Sequence, residues 1–247
     1  MESNTALATP QTVLPDVSLA AIVRDERMNS AGGIIDFVES TVPFVEEAVI
    51  VDTGSKDGTR ETLEELEARY PNLVVLDRPF DDYASSRNFS LDHVQTKYAF
   101  VLDADERLTR DDFVNLKQTM ENKPALYYQF DFLNIEEVDF PGIGHNPRLF
   151  ALEKTKYLNQ ENHLGEYLFI DGIRADNWSD DLIYNNSVIT GIDIKHFSPQ
   201  NFKGFMTKAS SWYNGVVRKG MADIIAPSET KDFEIWKEFN PQREDYR

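Results

Sequence analysis

Four short apolar runs, "VSLAAIV" (17–23), "EAVIVD" (47–52), "NLVVLD" (72–77) and "YAFVLD" (98–103), are separated by stretches with helical patterning. Apolar runs without polar alternation suit strands buried on both faces, the setting of a parallel sheet covered by helices. The intervening segments predict helices within 30–41, 59–70 and 84–95. In "TRETLEELEARY", Leu63, Leu66 and Tyr70 recur at i, i+3 and i+7 and mark one buried stripe. Residues 17–110 therefore predict a doubly wound, nucleotide-binding α/β half.

After residue 110 the pattern changes to the strand-like "ALYYQFDFLNI" (125–135) and "RLFAL" (148–152), loops rich in Asn, Gly and Asp, and a helix at 200–219. This predicts a smaller α+β half, 111–222, on the same sheet. Residues 1–16, rich in Thr, Pro and small polar types, read as a flexible lead, and 223–247 as an amphipathic tail.

Forty-three acidic against 25 basic residues give a formal charge of −18. The average field repels nucleic acid and anionic membranes. A phosphorylated small molecule remains compatible where a divalent cation or a local Arg offsets the repulsion. Without Cys there is no disulfide, thiolate zinc site or Cys nucleophile. No apolar run has the roughly 18 residues of a membrane span, and "MESNTALATPQTVLPD" lacks a signal peptide's basic and apolar regions. The expectation is a cytoplasmic protein, with peripheral membrane attachment left open.

"FVLDADERLT" (100–109) sets Asp103, Asp105 and Glu106 at the end of the fourth strand. Ligands of open α/β sheets bind outside the carboxyl ends of the strands. Mg²⁺ and Mn²⁺ take one or two carboxylates there and fill their other positions with water and phosphate oxygens. Asp-x-Asp is thus adequate for a metal-diphosphate site, and a solvated acidic turn is its plain competitor. The same pattern resembles the opening motif of haloacid dehalogenase-like phosphatases, with Asp103 as nucleophile and "SDDLIY" (179–184) as a later acidic pair. Arg107 stands where that family usually has Thr or Val.

Taken together, "AAIVRDERMNSAGGIIDFVESTVPFVEEAVIVDTGSKDGTRETLEEL", "FDDYASSRNFSLDHVQTKYAFVLDADERLT" and "RLFAL" resemble the family 2 glycosyltransferases of GT-A fold, especially the short bacterial type with "VDTGS", "ARN" and "LDADE" elements. The resemblance implies a Rossmann-like, mostly parallel sheet flanked by helices. It also implies metal-dependent, inverting hexosyl or deoxyhexosyl transfer from a nucleoside-diphosphate sugar, expected to be a UDP-sugar, to a glycan or lipid-linked acceptor hydroxyl. A non-catalytic sugar-nucleotide-binding domain is the other alternative.

Carried onto this chain, the resemblance assigns Val23, Arg24 and Asp25 to base and ribose, with Asp25-Glu26 where the family commonly has Asn-Glu. Asp52 faces a uracil or ribose donor, and Thr53 replaces a second Asp of many relatives. Gly54, Ser55, Asp57 and Gly58 are what a tight turn and helix cap need without a ligand. Arg87 approaches the diphosphate; a surface ion pair with Asp81 or Asp82 is its alternative. Asp103 and Ala104 sit near the ribose or metal, Asp105 ligates Mn²⁺ or Mg²⁺, Glu106 orients the turn, and His196 completes the metal site. For the catalytic base the first choice is Glu166, followed by His163 and Glu161, with Asp139 a further possibility. Trp178, Trp212 and Tyr213 are candidates for stacking on a sugar or for the core.

Overall fold

The computed structural model describes residues 14–29, 31–135, 145–159, 166–176 and 180–197. The expected helix at 200–219 and the tail lie outside them. The first half alternates as its pattern predicts: β1 (Leu14–Val23), α1 (Ile34–Thr41), β2 (Val45–Asp52), α2 (Thr59–Glu67), β3 (Leu73–Asp77), α3 (Tyr83–Asp92) and β4 (Tyr98–Val101). β1 begins three residues inside the expected flexible lead. Leu14 is buried and pairs with Val45, and a register shift before Ser18 accommodates Asp16 at a left-handed φ of 58°.

β5 (Glu106–Arg107) is followed by α4 (Arg110–Asn122), β6 (Tyr127–Ile135), β7 (Asn146–Ala151), β8 (Thr155–Asn159), β9 (Glu166–Ile170), β10 (Ile173–Arg174), α5 (Asp181–Asn185) and β11 (Ser187–Phe197). The sequence reading passed over α4. Its signal was present: the Thr109 hydroxyl accepts from the Asp112 N–H while the Asp112 carboxylate accepts from the Thr109 N–H, a closed capping box. Phe113 and Leu116 then face the core, with Met120 packed against it.

The large sheet has the order β3-β2-β1-β4-β7-β6-β11-β5. β3, β2, β1 and β4 are parallel, β7 runs antiparallel to both β4 and β6, and β11 is parallel to β6. The chain winds outward from β1 to β3 and returns to lay β4 on the other side of β1. That reversal opens a crevice beyond the carboxyl ends of β1 and β4. A second sheet, β10-β9-β8, meets α3, where Asn88 Nδ2 donates to the Tyr157 carbonyl and its Oδ1 accepts from the Tyr157 N–H, both at 2.8 Å.

The sheet is buried on both faces. On one, Phe37, Leu63 and Leu66 from α1 and α2 pack with Phe113, Phe100 and Phe130, the last two rings stacked at 5.3 Å. On the other, Val49, Val51, Ala84 and Leu91 pack with Tyr127, Phe150 and Tyr157. Tyr70 lies past the end of α2 and packs at the rim of the first cluster. Among the described residues no helix is long and apolar enough to cross a membrane.

Candidate active site

The acidic motif closes a turn at the crevice. The Glu106 N–H donates to the Asp103 carbonyl at 2.9 Å, and the Asp103 N–H donates to Glu106 Oε2 at 3.0 Å. The Ala104 carbonyl is held twice, by Asn29 Nδ2 at 2.9 Å and Arg107 Nη1 at 2.8 Å. Arg107 also donates to the Glu106, Ala31 and Gly33 carbonyls while its guanidinium covers the Phe37 ring. β5 pairs antiparallel with β11, Glu106 opposite His196, and the Phe197 N–H donates to the Asp105 carbonyl. The ladder thereby sets His196 Nε2 3.7 Å from Asp105 Oδ2.

Two further guanidiniums enter this acidic turn. Arg87, 4% exposed, bonds Asp103 Oδ1 through Nη2 and reaches Glu166 Oε1 through Nε at 3.3 Å. Burial alone would lower its pKa; the Asp103 and Glu166 carboxylates outweigh that and raise it. The surface pairing with Asp81 or Asp82 does not form: Asp81 binds Arg78, and Asp82 caps α3 by accepting from the Ser85 N–H. Arg148 of β7 lies 2.5 Å from Glu106 Oε1 and 3.8 Å from Asp103 Oδ2, its guanidinium over the Phe132 ring. Glu106 is 1% exposed, and burial pushes its carboxyl up to about 7 against the pull of Arg148.

On the other side of the crevice, Asp52 at the end of β2 is 3% exposed. Its Oδ1 accepts from the Gly54 and Ser55 N–H groups at 2.8 Å, while Oδ2, equally buried, has no partner among the described residues. Thr53 turns inward: its N–H and hydroxyl both donate to the Val23 carbonyl. Arg24 is exposed beside Asp25, and Asp25, at φ 56°, accepts from the Lys56 N–H. Asp57 accepts from the Thr59 N–H and hydroxyl at the start of α2 and from the Arg27 N–H, so it is spent on the turn.

Residues 29–176, more than half of the chain, match the model of glycosyl transferase family 2. The chain belongs to that family. A TPR repeat-containing protein of Synechococcus elongatus is 31% identical over 115 residues, 47% of this chain and 27% of that protein, so the chain spans about a quarter of the length of this curated relative. S. aureus TarS 1–349 superposes with a TM-score of 0.51 at 12% identity, covering 90% of this chain and 70% of that one. The same fragment in complex with UDP-GlcNAc gives 0.50 at 10% identity, covering 90% and 71%. The fold is GT-A-like.

Within this family 2 domain, the structure brings Asp52, Arg87, Asp103, Ala104, Asp105, Glu106, Glu166 and His196 around the carboxyl ends of β2, β1 and β4. His163, Glu161, Asp139, Trp178, Trp212 and Tyr213 lie outside the described residues. The phosphatase alternative gives way to the family match, and its parts are engaged elsewhere: Arg87 binds Asp103, and Asp180 caps α5 by accepting from the Leu182 N–H. The sequence reading missed Asn29, Arg148 and Tyr157. Arg148 had a signal, a lone cation in the apolar "RLFAL" run; Tyr157 had none. Burial pushes the Tyr157 hydroxyl up to about 12, so it stays protonated.

The donor set fits a hard divalent ion. Asp105 Oδ2 and His196 Nε2 stand 3.7 Å apart, a carboxylate oxygen and an imidazole nitrogen that would both reach one ion after a small side-chain rotation. Among the described residues no third His or carboxylate joins them in a metal-binding group. Two protein ligands suffice where substrate phosphates supply the rest.

Proposed function

We propose that this domain transfers a sugar from a nucleoside-diphosphate sugar, with uridine as the nucleoside, to an acceptor hydroxyl with inversion. The observation that carries this reading is Asp52 Oδ2, a buried carboxylate oxygen without a partner among the described residues at the crevice. Such an atom is costly to leave unmade, and a uracil N–H or ribose hydroxyl would satisfy it. The complexes of S. aureus TarS with UDP and UDP-GlcNAc support uridine as the nucleoside.

Arg87 faces the diphosphate, for which its planar fork is suited. Asp105 and His196 would hold Mn²⁺ or Mg²⁺, which when bound would neutralise charge on the departing diphosphate. Glu166, fixed through one oxygen by Arg87, takes the proton of the acceptor hydroxyl. The acceptor oxygen bonds to the anomeric carbon as the carbon–phosphate oxygen bond breaks on the opposite face, and nucleoside diphosphate leaves. A glycan or lipid-linked glycan is the acceptor class in this reading.

The test is thermal unfolding with UDP and with a panel of nucleoside diphosphates and their sugars, each with and without Mn²⁺. A ligand at 100 times its Kd adds about 2.7 kcal/mol. UDP is expected to raise the midpoint more with Mn²⁺ than without, and Asp105→Asn to abolish the increment. Absence of a metal-dependent shift with every nucleoside diphosphate would overturn the reading. Binding of UDP-sugars without UDP release to water or any acceptor would favour the non-catalytic alternative.

A further inference from the structure

Arg148 is a buried cation at the crevice with no role in the proposed transfer. Glu166, Arg87, Asp103, Arg148 and Glu106 form a chain of alternating charge, from β9 through α3 and the β4 turn to β7. Asp103 is its midpoint, one oxygen on Arg87 and the other 3.8 Å from Arg148. Arg148 is further fixed by Glu106 and by the Phe132 ring, and its Nε is buried without a partner among the described residues.

We infer that Arg148 is a positioning residue for diphosphate recognition, acting through Asp103. By sharing the Asp103 carboxylate it keeps that charge from being compensated by Arg87 alone, which leaves Arg87 electrostatically available to an incoming diphosphate. Without Arg148, Asp103 and Glu166 both fall to Arg87, and the guanidinium that should meet the ligand is already neutralised. The inference rests on the nucleotide-sugar reading. It separates the two parts of the ligand, because Arg148 affects the phosphates and not the uridine.

The experiment is calorimetric titration of UDP and of uridine, each with Mn²⁺, into the whole chain. Removing one partner of a buried ion pair can unfold a protein, whereas removing both is often neutral. The decisive variant is therefore Glu106→Gln combined with Arg148→Met. UDP affinity is expected to fall about tenfold or more in this folded double variant, with uridine unchanged. Arg148→Lys, which keeps the charge, should recover most of the loss. In an Asp103→Asn background, adding the double variant should cost UDP little more, the coupling expected of groups that act through one another. Wild-type-like UDP binding by the double variant, or an equal loss of uridine, would reduce Arg148 to a structural ion pair. Wild-type protein that bound neither UDP nor uridine would instead remove the underlying reading, and this inference with it.

Discussion

Arg107 shows how much of a site is made by residues that touch no substrate. Its guanidinium serves four carbonyls, two of them in the acidic turn and two in the loop before α1. Arg107→Met would remove a buried donor from all four, leaving the Ala104 carbonyl with Asn29 and the Gly33 carbonyl with the Phe37 N–H. A loss of about 3 kcal/mol is expected in urea unfolding, with the proposed ion site weakened because the Asp105 turn loosens. Asp52→Asn makes the opposite separation. Its amide oxygen keeps the bonds from Gly54 and Ser55, but the buried position that now accepts becomes a donor. UDP affinity is expected to fall about 10- to 100-fold by calorimetry with the unfolding midpoint of the free protein little changed. At this scale the sequence was informative where a residue type has few uses. Asp52, Arg87 and Asp105 could be singled out because carboxylates and a guanidinium at strand and helix ends have a restricted chemistry. Arg148 and Asn29 could not, because their partners, Glu106 and the Ala104 carbonyl, are fixed by strand pairing and loop packing that no local pattern announces.

Helices and strands were legible to the extent that their periodicity was strong. α2 carries its stripe openly, and β2 from Ala48 on, β3 and β4 are continuous apolar runs that end at or just before an Asp. α4 has only Phe113, Leu116 and Met120 on its buried side among many polar residues, so its cap was a clearer sign than its face. Thr109→Ala removes that cap and should cost about 1 kcal/mol, seen as a midpoint lower by about 2–4 °C in a thermal scan. The start of α2 is sensitive to acid. Burial pushes the Asp57 carboxyl up, but the Thr59 hydroxyl, Thr59 N–H and Arg27 N–H together leave it below its ordinary value of 3.8. A depressed carboxylate contributes stability that is full above the unfolded value and is lost as pH falls through the folded one. Asp57→Asn should therefore be less stable than wild type near neutrality, and the difference should narrow as acid unfolding curves are followed below pH 3.8.

Across the whole molecule, the parallel half was readable and the order of the remainder was not. β7 entering antiparallel between β4 and β6 depends on pairings between segments far apart in the chain, which alternation within a segment does not encode. The two halves nonetheless share one core. Phe100 of the parallel half stacks on Phe130 of the other, so Phe130→Ala is expected to cost about 3–5 kcal/mol in chemical unfolding and to weaken both halves together in a single transition. β11 adds a consequence in time. It lies last among the described strands, yet it alone carries His196 to Asp105 by docking on β6 and β5. A chain emerging from the ribosome thus exposes Asp52, Arg87 and Asp105 well before His196 is made. Pairings of long sequence separation form late. In the proposed assignment, the nucleoside-facing groups are made early in synthesis while the ion-holding pair waits for β11.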